Sequence, residues 1–271
     1  MEVSYLDIAS WIHGVTEPTI RSAIRALQLP AGSRGLDVGC GIGTHTLWLA
    51  EAMASEGHVT GVDISSEHLA RANEIASKHK LAKRVSFQYG DMEALSFEDN
   101  TFDWAWTADT LWPVAGRDPL LMVKKLKRVV KPGGTFAVLF WSSQKLLPGY
   151  PLLEARLNAT CAANFPYTDD IQSAWHILRA MGWLQDAGLS DIQVRTFVAD
   201  IHPPLDDAAQ RALAWIFQML WGKTKPEVTP DDWSQFQRLC QSDSPDFIPN
   251  LPDYYAFITC SLFWGKVTKS S

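Results

Sequence analysis

The chain has 271 residues, 46% of them hydrophobic and 20% charged, with a formal net charge of −6. That length can bury a full core, so one domain with an insertion is expected, and the acidic balance disfavours a broad nucleic-acid-binding surface. The four cysteines (Cys40, Cys161, Cys240 and Cys260) are too scattered for a C-x-x-C zinc pair or a disulfide framework, so no metal is expected and a reducing cytoplasm fits. No basic stretch leads into an apolar leader, and the longest apolar run, Phe136–Trp141, is far too short to span a bilayer.

Residues 1–15 show no clean period and read as an N-terminal cap segment. Thr16 is expected to cap a helix with Pro18 in its first turn, placing Ile20, Ile24 and Leu27 on one face. Strands are predicted at 34–38, 58–63, 84–89, 102–106 and 135–141, with helices at 44–55, 66–79 and 118–130 between them. Asp118 and Pro119 start the last of these helices, and Lys131-Pro132-Gly133-Gly134 stops it. Such alternation describes a doubly wound sheet whose ligands lie at the carboxyl ends of the strands. Beyond it, Pro151 can open a short helix, a helix is predicted over 173–187 and a strand over 191–199. Helices over 205–222 and from Thr229-Pro230 onward follow, then a proline-rich loop and a last strand at 255–264. Of twelve tryptophans, Trp48, Trp104 and Trp106 read as core, whereas Trp11, Trp112, Trp175, Trp215, Trp221 and Trp233 fall in or beside segments that could roof a site.

The chemistry concentrates at three strand ends. Residues 35–43 run Gly-Leu-Asp-Val-Gly-Cys-Gly-Ile-Gly, an apolar strand passing into glycines at alternate positions and then a helix. Glycines there let a ligand approach the main chain, and the helix start supplies free N–H donors. The dinucleotide pattern G-x-G-x-x-G fails, because Thr44 and Thr46 stand where its third glycine would be, which disfavours a nicotinamide oxidoreductase. The second strand ends in Asp63, twenty positions after Gly43 and close to the offset at which a carboxylate accepts from ribose hydroxyls. The third ends in Gly90-Asp91-Met92. A glycine turn and two acids suit a nucleoside with an amino-acid tail better than a pyrophosphate.

These residues resemble the class I S-adenosylmethionine (SAM)-dependent methyltransferases, of the small-molecule type similar to the ubiquinone/menaquinone C-methyltransferases. Four ordered blocks carry the resemblance over residues 30–141: LDVGCGIG, GVDIS at 61–65, GDMEALSFEDNTFDWAW at 90–106 and LKRVVKPGGTFAVLF at 126–140. The resemblance implies an α/β fold with a doubly wound, mostly parallel seven-stranded sheet, helices on both faces and an antiparallel last strand paired in a hairpin at the sheet edge. Residues 16–200 and 254–271 would form that core, residues 1–15 a cap, and 201–253 a helical lid. It also implies SAM as cofactor. Gly39 and Gly41 would pass close to its methionine part, Asp63 take the ribose hydroxyls and Ile64 pack on the adenine. Asp91 would accept from the adenine amino group beside Met92, Thr107 meet the cofactor's amino group through its carbonyl, and Tyr5 close over it.

Plainer roles also fit: Asp63 as a cap for the following helix, Asp91 as a turn residue, Tyr5 as packing, Cys40 as a small filler. On the acceptor side, Asp109 sits where an acceptor proton could be taken, and His45 follows the glycine loop. The alternatives for these two are a local backbone bond and a structural helix start. Lys124, Lys125, Lys127, Arg128 and Lys131 read as a solvated helix face. The expected activity is methyl transfer to carbon or oxygen of a small apolar or aromatic metabolite, by a monomer or homodimer without nucleic acid or integral membrane segment. A non-enzymatic SAM-binding or assembly protein on the same fold is the alternative.

Overall fold

The architecture follows from one strand. β1 (Arg34–Val38) pairs in parallel with β2 (His58–Asp63) on one side and β4 (Phe102–Ala108) on the other. In the computed structural model, which describes residues 5–53, 56–113, 117–167 and 171–268, the full sheet also contains β3 (Val85–Tyr89), β5 (Val130–Lys145), β6 (Leu189–Ile201) and β7 (Ala256–Val267). Their order is β3-β2-β1-β4-β5-β7-β6. β7 runs antiparallel to β5, since Lys266 reaches Thr135 at one end and Thr259 reaches the Ser143 carbonyl at the other. It is also antiparallel to β6, with Thr268 on the Gly188 carbonyl and Ser261 beside Thr196. The expected hairpin of the last two strands is present, but β7 lies inside the sheet and β6 forms the edge.

The chain divides into two compact units. The sheet unit comprises Thr19–Ser142, Ser173–Phe197 and Cys260–Ser271. Helices α2 (Thr44–Ala52), α3 (Ser66–Ser77) and α4 (Pro119–Lys127) alternate with its strands. Its core is aromatic: Trp104 and Trp106 are almost wholly buried and pack with Trp48, Leu49, Met53 and Leu139. The Trp104 indole N–H donates to Ser33 Oγ at 2.9 Å, satisfying the ring's one polar atom. Gly35 is required beneath that ring, because a Cβ there would stand 2.0 Å from it. Lys131-Pro132-Gly133-Gly134 does not separate helix from strand as expected. β5 already pairs at Val130 with Phe102, and the next pair is Trp104 with Thr135, so the four residues form an irregularity inside the strand.

The second unit comprises Met1–Pro18, Ser143–Gln172 and Val198–Thr259 and is helical. It contains α5 (Pro151–Asn158), α7 (Asp207–Trp221) and α8 (Pro230–Cys240), with Asp206 and Thr229 capping the last two. Polar ties hold its helices and loops. Arg156 grips buried Asp232 through two bonds of 2.8 and 2.6 Å, and Glu227 accepts the N–H groups of Cys161 and Ala162. The expected lid segment 201–253 thus folds as two amphipathic helices. Trp221, expected in a roof, is fully buried instead, stacked on Phe217 and donating to Asn158 at 2.8 Å. Trp11 lies under the Arg211 guanidinium.

Several helix boundaries differ from expectation. α1 spans Tyr5–Ala26, so residues 5–15 are helical, Thr16 lies mid-helix with its hydroxyl on the Ile12 carbonyl, and Pro18 is inside. The proline removes one main-chain donor, which a long helix tolerates when tertiary packing holds both sides. Residues 1–4 lie outside the described part, as does the side-chain placement of Tyr5. Over 173–187 a single helix does not form. Two short 3-10 turns, at 173–175 and 177–179, precede α6 (Ala180–Asp186), because extended His176 interrupts them and accepts from the Leu178 N–H. α2 ends at Ala52, with Met53 extended; residues 54 and 55, also expected in that helix, lie outside the described part.

Candidate active site

The candidate site lies at the carboxyl tips of β1 to β4. The glycine loop after β1 is tied to β2 by main-chain bonds from Gly39 and Cys40 to the Val62 carbonyl, at 2.8 and 3.0 Å. Asp63 then reaches back: one carboxylate oxygen accepts from the Gly41 N–H at 2.9 Å and the other from the Ser65 N–H at 2.8 Å. β3 joins through Gly90, whose N–H donates to the Asp63 carbonyl at 3.1 Å. Gly39, Gly41, Asp63 and Gly90-Asp91 are therefore brought together, although some fifty residues separate the first from the last. The cap on α3 that Asp63 could have supplied belongs to Ser65, which accepts from His68.

All three loop glycines have positive φ, and their surroundings assign them different work. A Cβ at Gly39 would strike Thr110, and one at Gly43 would strike Phe87, so those two serve packing. A Cβ at Gly41 would meet nothing within 4 Å. This is the open face of the cradle. Ile64 beside it is 58% exposed, an uncovered apolar surface next to the Asp63 carboxylate. Asp91 caps a short turn, accepting from the Glu93 N–H at 2.8 Å, and its second oxygen has no protein donor among the described residues. Met92 is half-buried behind it. Thr107 is fully buried between Val38 and Val138, its hydroxyl without a hydrogen-bond partner among the described residues.

Asp37 is an acid at this end of β1 that lies outside the residues the motifs single out. It is 1% exposed in β1, and the Thr46 hydroxyl donates to it at 2.6 Å. Burial, opposed by that bond and aided by the like charge of Asp63, pushes its carboxyl up to about 7. The signal was present: an acid inside an apolar strand immediately before the glycine turn. Burial and both acids push the Cys40 thiol far up, so it remains protonated and inert.

Asp109, expected from the sequence to face an acceptor, holds a left-handed backbone, φ 49°, at the tip of β4. Its N–H donates to the Leu139 carbonyl and its carboxylate accepts the Trp141 N–H at 2.8 Å. The residue reaches solvent, yet protein borders its carboxyl closely enough for desolvation to push it up to about 6 against the pull of that bond. Next to it, the Thr110 hydroxyl donates to the Ala108 carbonyl and its side chain covers Gly39. Trp112 follows, edge-on to Phe140, which meets Trp183 edge-on in turn. His45 is placed differently: its ring stacks on Trp48 and meets Trp106 edge-on, among the core aromatics. Among the described residues, no cluster of His, Cys, Asp and Glu has the arrangement of a metal site, and no helix is long and apolar enough to cross a membrane.

Comparison with known proteins defines the class. The methyltransferase domain family matches residues 29–188, well over half of the chain. Demethylmenaquinone methyltransferase of Bacillus cereus is 31% identical over 196 residues, which cover 67% of this chain and 81% of that protein. The chain belongs to the methyltransferase domain family, and it is a SAM-dependent methyltransferase of class I. Two solved structures share its fold. One is the YcgJ protein from Bacillus subtilis, with a TM-score of 0.57 and 19% identity over 94% of this chain and 100% of the other. The second is phosphoethanolamine N-methyltransferase 2 of Haemonchus contortus in complex with SAM, with a TM-score of 0.54 and 18% identity over 96% of this chain and 56% of the other.

The residues present fit the cofactor. Open space at Gly41, an exposed apolar side chain at Ile64 and an Asp91 oxygen with an unused lone pair match a nucleoside joined to an amino acid. When bound, SAM supplies an electrophilic methyl group on a sulfonium.

Proposed function

We propose that the enzyme methylates a hydroxylated aromatic ring of a small, apolar metabolite, at ring carbon. Asp109 is the group that readies the acceptor, by taking a proton from the ring hydroxyl and so raising electron density at the neighbouring carbon. The observation that carries this reading is the place of Asp109: a strained strand tip, a carboxylate held by one main-chain N–H, and a pKa near 6 that leaves it basic at neutral pH. Trp112, two positions past Thr110 and backed by Phe140, offers a flat apolar neighbour for such a ring. The names of the Bacillus relatives, which are demethylmenaquinone methyltransferases, support a quinol as the acceptor.

The protein's own contribution is orientation and electrostatics. Gly41 and Asp63 define one side of the cofactor's cradle, Ile64 and Met92 its adenine platform, and Asp91 the acceptor for an exocyclic amine. Holding the acceptor carbon about 3–3.5 Å from the methyl group supplies much of the rate enhancement.

The test is transfer of labelled methyl from SAM to reduced quinols, with the product's carbon or oxygen position read by mass spectrometry. Asp109→Asn keeps the shape and the Trp141 bond but not the basicity. Its rate is expected to fall roughly 10²–10⁴-fold, and the wild-type kcat/KM is expected to rise with pH through about 6. A variant within threefold of wild type, or label found only on oxygen, would reject this assignment.

A further inference from the structure

α4 shows a second chemical character on its outer face. Leu121, Lys124, Lys125 and Arg128 stand three, four and seven positions apart, so they share one stripe. Leu121 is 47% exposed in the first turn. A helix that follows a parallel strand begins at that strand's carboxyl end, so Leu121 lies at the same end of the sheet as Gly41 and Asp109. α6 packs beside α4, and the Lys127 ammonium donates to the Ala187 carbonyl between them. At the start of α6 the apolar side chains Leu178 and Met181 are also exposed, at 54% and 41%.

Between residues 92–95 and the cations Lys124, Lys125 and Arg128 lies a cavity of about 340 Å³. Its one carboxylate, Glu93, is held by Arg117 at 2.9 Å, with Lys125 at 3.8 Å. Arg128 is fixed in place by the Leu95 and Phe97 carbonyls and by Asp99. Lys124 has no partner among the described residues. Among the described residues that line it, three cations therefore face one carboxylate, on a chain whose net charge is −6. An anionic bilayer would repel such a protein as a whole and attract it here, which orients the encounter.

We propose that the α4–α6 face docks on an anionic phospholipid surface. A lipid phosphate occupies the cavity against Lys124, Lys125 and Arg128, and Leu121, Leu178 and Met181 enter the headgroup boundary. The match is one of charge and polarity: cations over phosphates, apolar side chains over the acyl boundary. Docking deepens the reading of an apolar acceptor, since it brings the sheet's carboxyl end to the phase in which such a molecule dissolves.

The experiment is sedimentation of the full chain with phosphatidylcholine vesicles, with and without phosphatidylglycerol. Partition to the anionic vesicles is expected, falling with added salt, and dropping at least tenfold in the Lys124→Glu/Lys125→Glu variant. Leu178→Ser/Met181→Ser is expected to weaken it severalfold. S-adenosylhomocysteine binding, measured in parallel, should be unchanged in both variants, which shows that they fold. Equal partition to neutral vesicles, no partition, or partition indifferent to the charge reversal overturns docking. So does binding of inorganic phosphate without vesicle binding, which would make the cavity a site for a soluble anion. Failure of methyl transfer to quinols with vesicle binding intact would reject the acceptor assignment and leave docking standing.

Discussion

Asp37 makes the most direct thermodynamic prediction. Its carboxyl is buried in β1 and titrates near 7, against 3.8 for the free side chain. Between those two values the folded protein binds one proton more than the unfolded chain. The slope of unfolding free energy with pH is therefore negative, about −1.4 kcal/mol per pH unit from this one group. Its contribution is fully present below the unfolded value and is lost as pH rises through the folded one. Between pH 5 and pH 8 the loss reaches about 3 kcal/mol, which in a domain this size lowers Tm by roughly 6–12 °C. Asp37→Asn keeps an acceptor for the Thr46 hydroxyl and cannot ionise. Thermal melts of wild type and variant across pH 5–8 isolate the effect, because every other titrating group is common to both. The variant's Tm should gain on the wild type steadily as pH rises. Parallel curves would mean that Asp37 does not titrate in this range and that its burial is relieved in solution.

Gly41→Val should abolish S-adenosylhomocysteine binding in a calorimetric titration, because its side chain would fill the open cradle. The left-handed backbone at φ 51° adds a stability cost of about 1–2 kcal/mol. A variant that still binds within threefold would remove the cradle from the cofactor site. Gly35→Ala should lower Tm without altering the site's residues, since its Cβ would stand 2.0 Å from Trp104; overpacking of this kind costs about 1–3 kcal/mol or more. A Tm equal to wild type would show that the Trp104 ring has room to move.

What the sequence made legible divides along the distance over which each signal acts. The alternation of strands with helices is written locally, in apolar periods and in helix starts such as Asp118 with Pro119, so the order of elements in the sheet unit could be read directly. The Thr16–Pro18 helix start was also a strong local signal, and it misled. Local capping chemistry favours a start there, whereas α1 runs through the proline from Tyr5, with Ile8 buried before it and Ile20 and Ile24 buried after it. The roles of the loop glycines were readable only as a set. What separates Gly41 from Gly39 is Thr110, seventy positions away, whose side chain occupies the space above one glycine and leaves the other bare. Asp63 shows the same limit from the other direction. Its offset from the glycines marked it as functional, but the bond from the Gly41 N–H to its carboxylate is a long-range contact that no period or motif encodes. That bond gives the acid two tasks, since the carboxylate that holds the cradle's main chain in place is also the one expected to receive the ribose. A substitution at Asp63 would therefore disturb the cradle as well as the hydroxyl contact. For this reason Gly41, whose side-chain space meets no atom of the described residues within 4 Å, is the cleaner probe of the cofactor site.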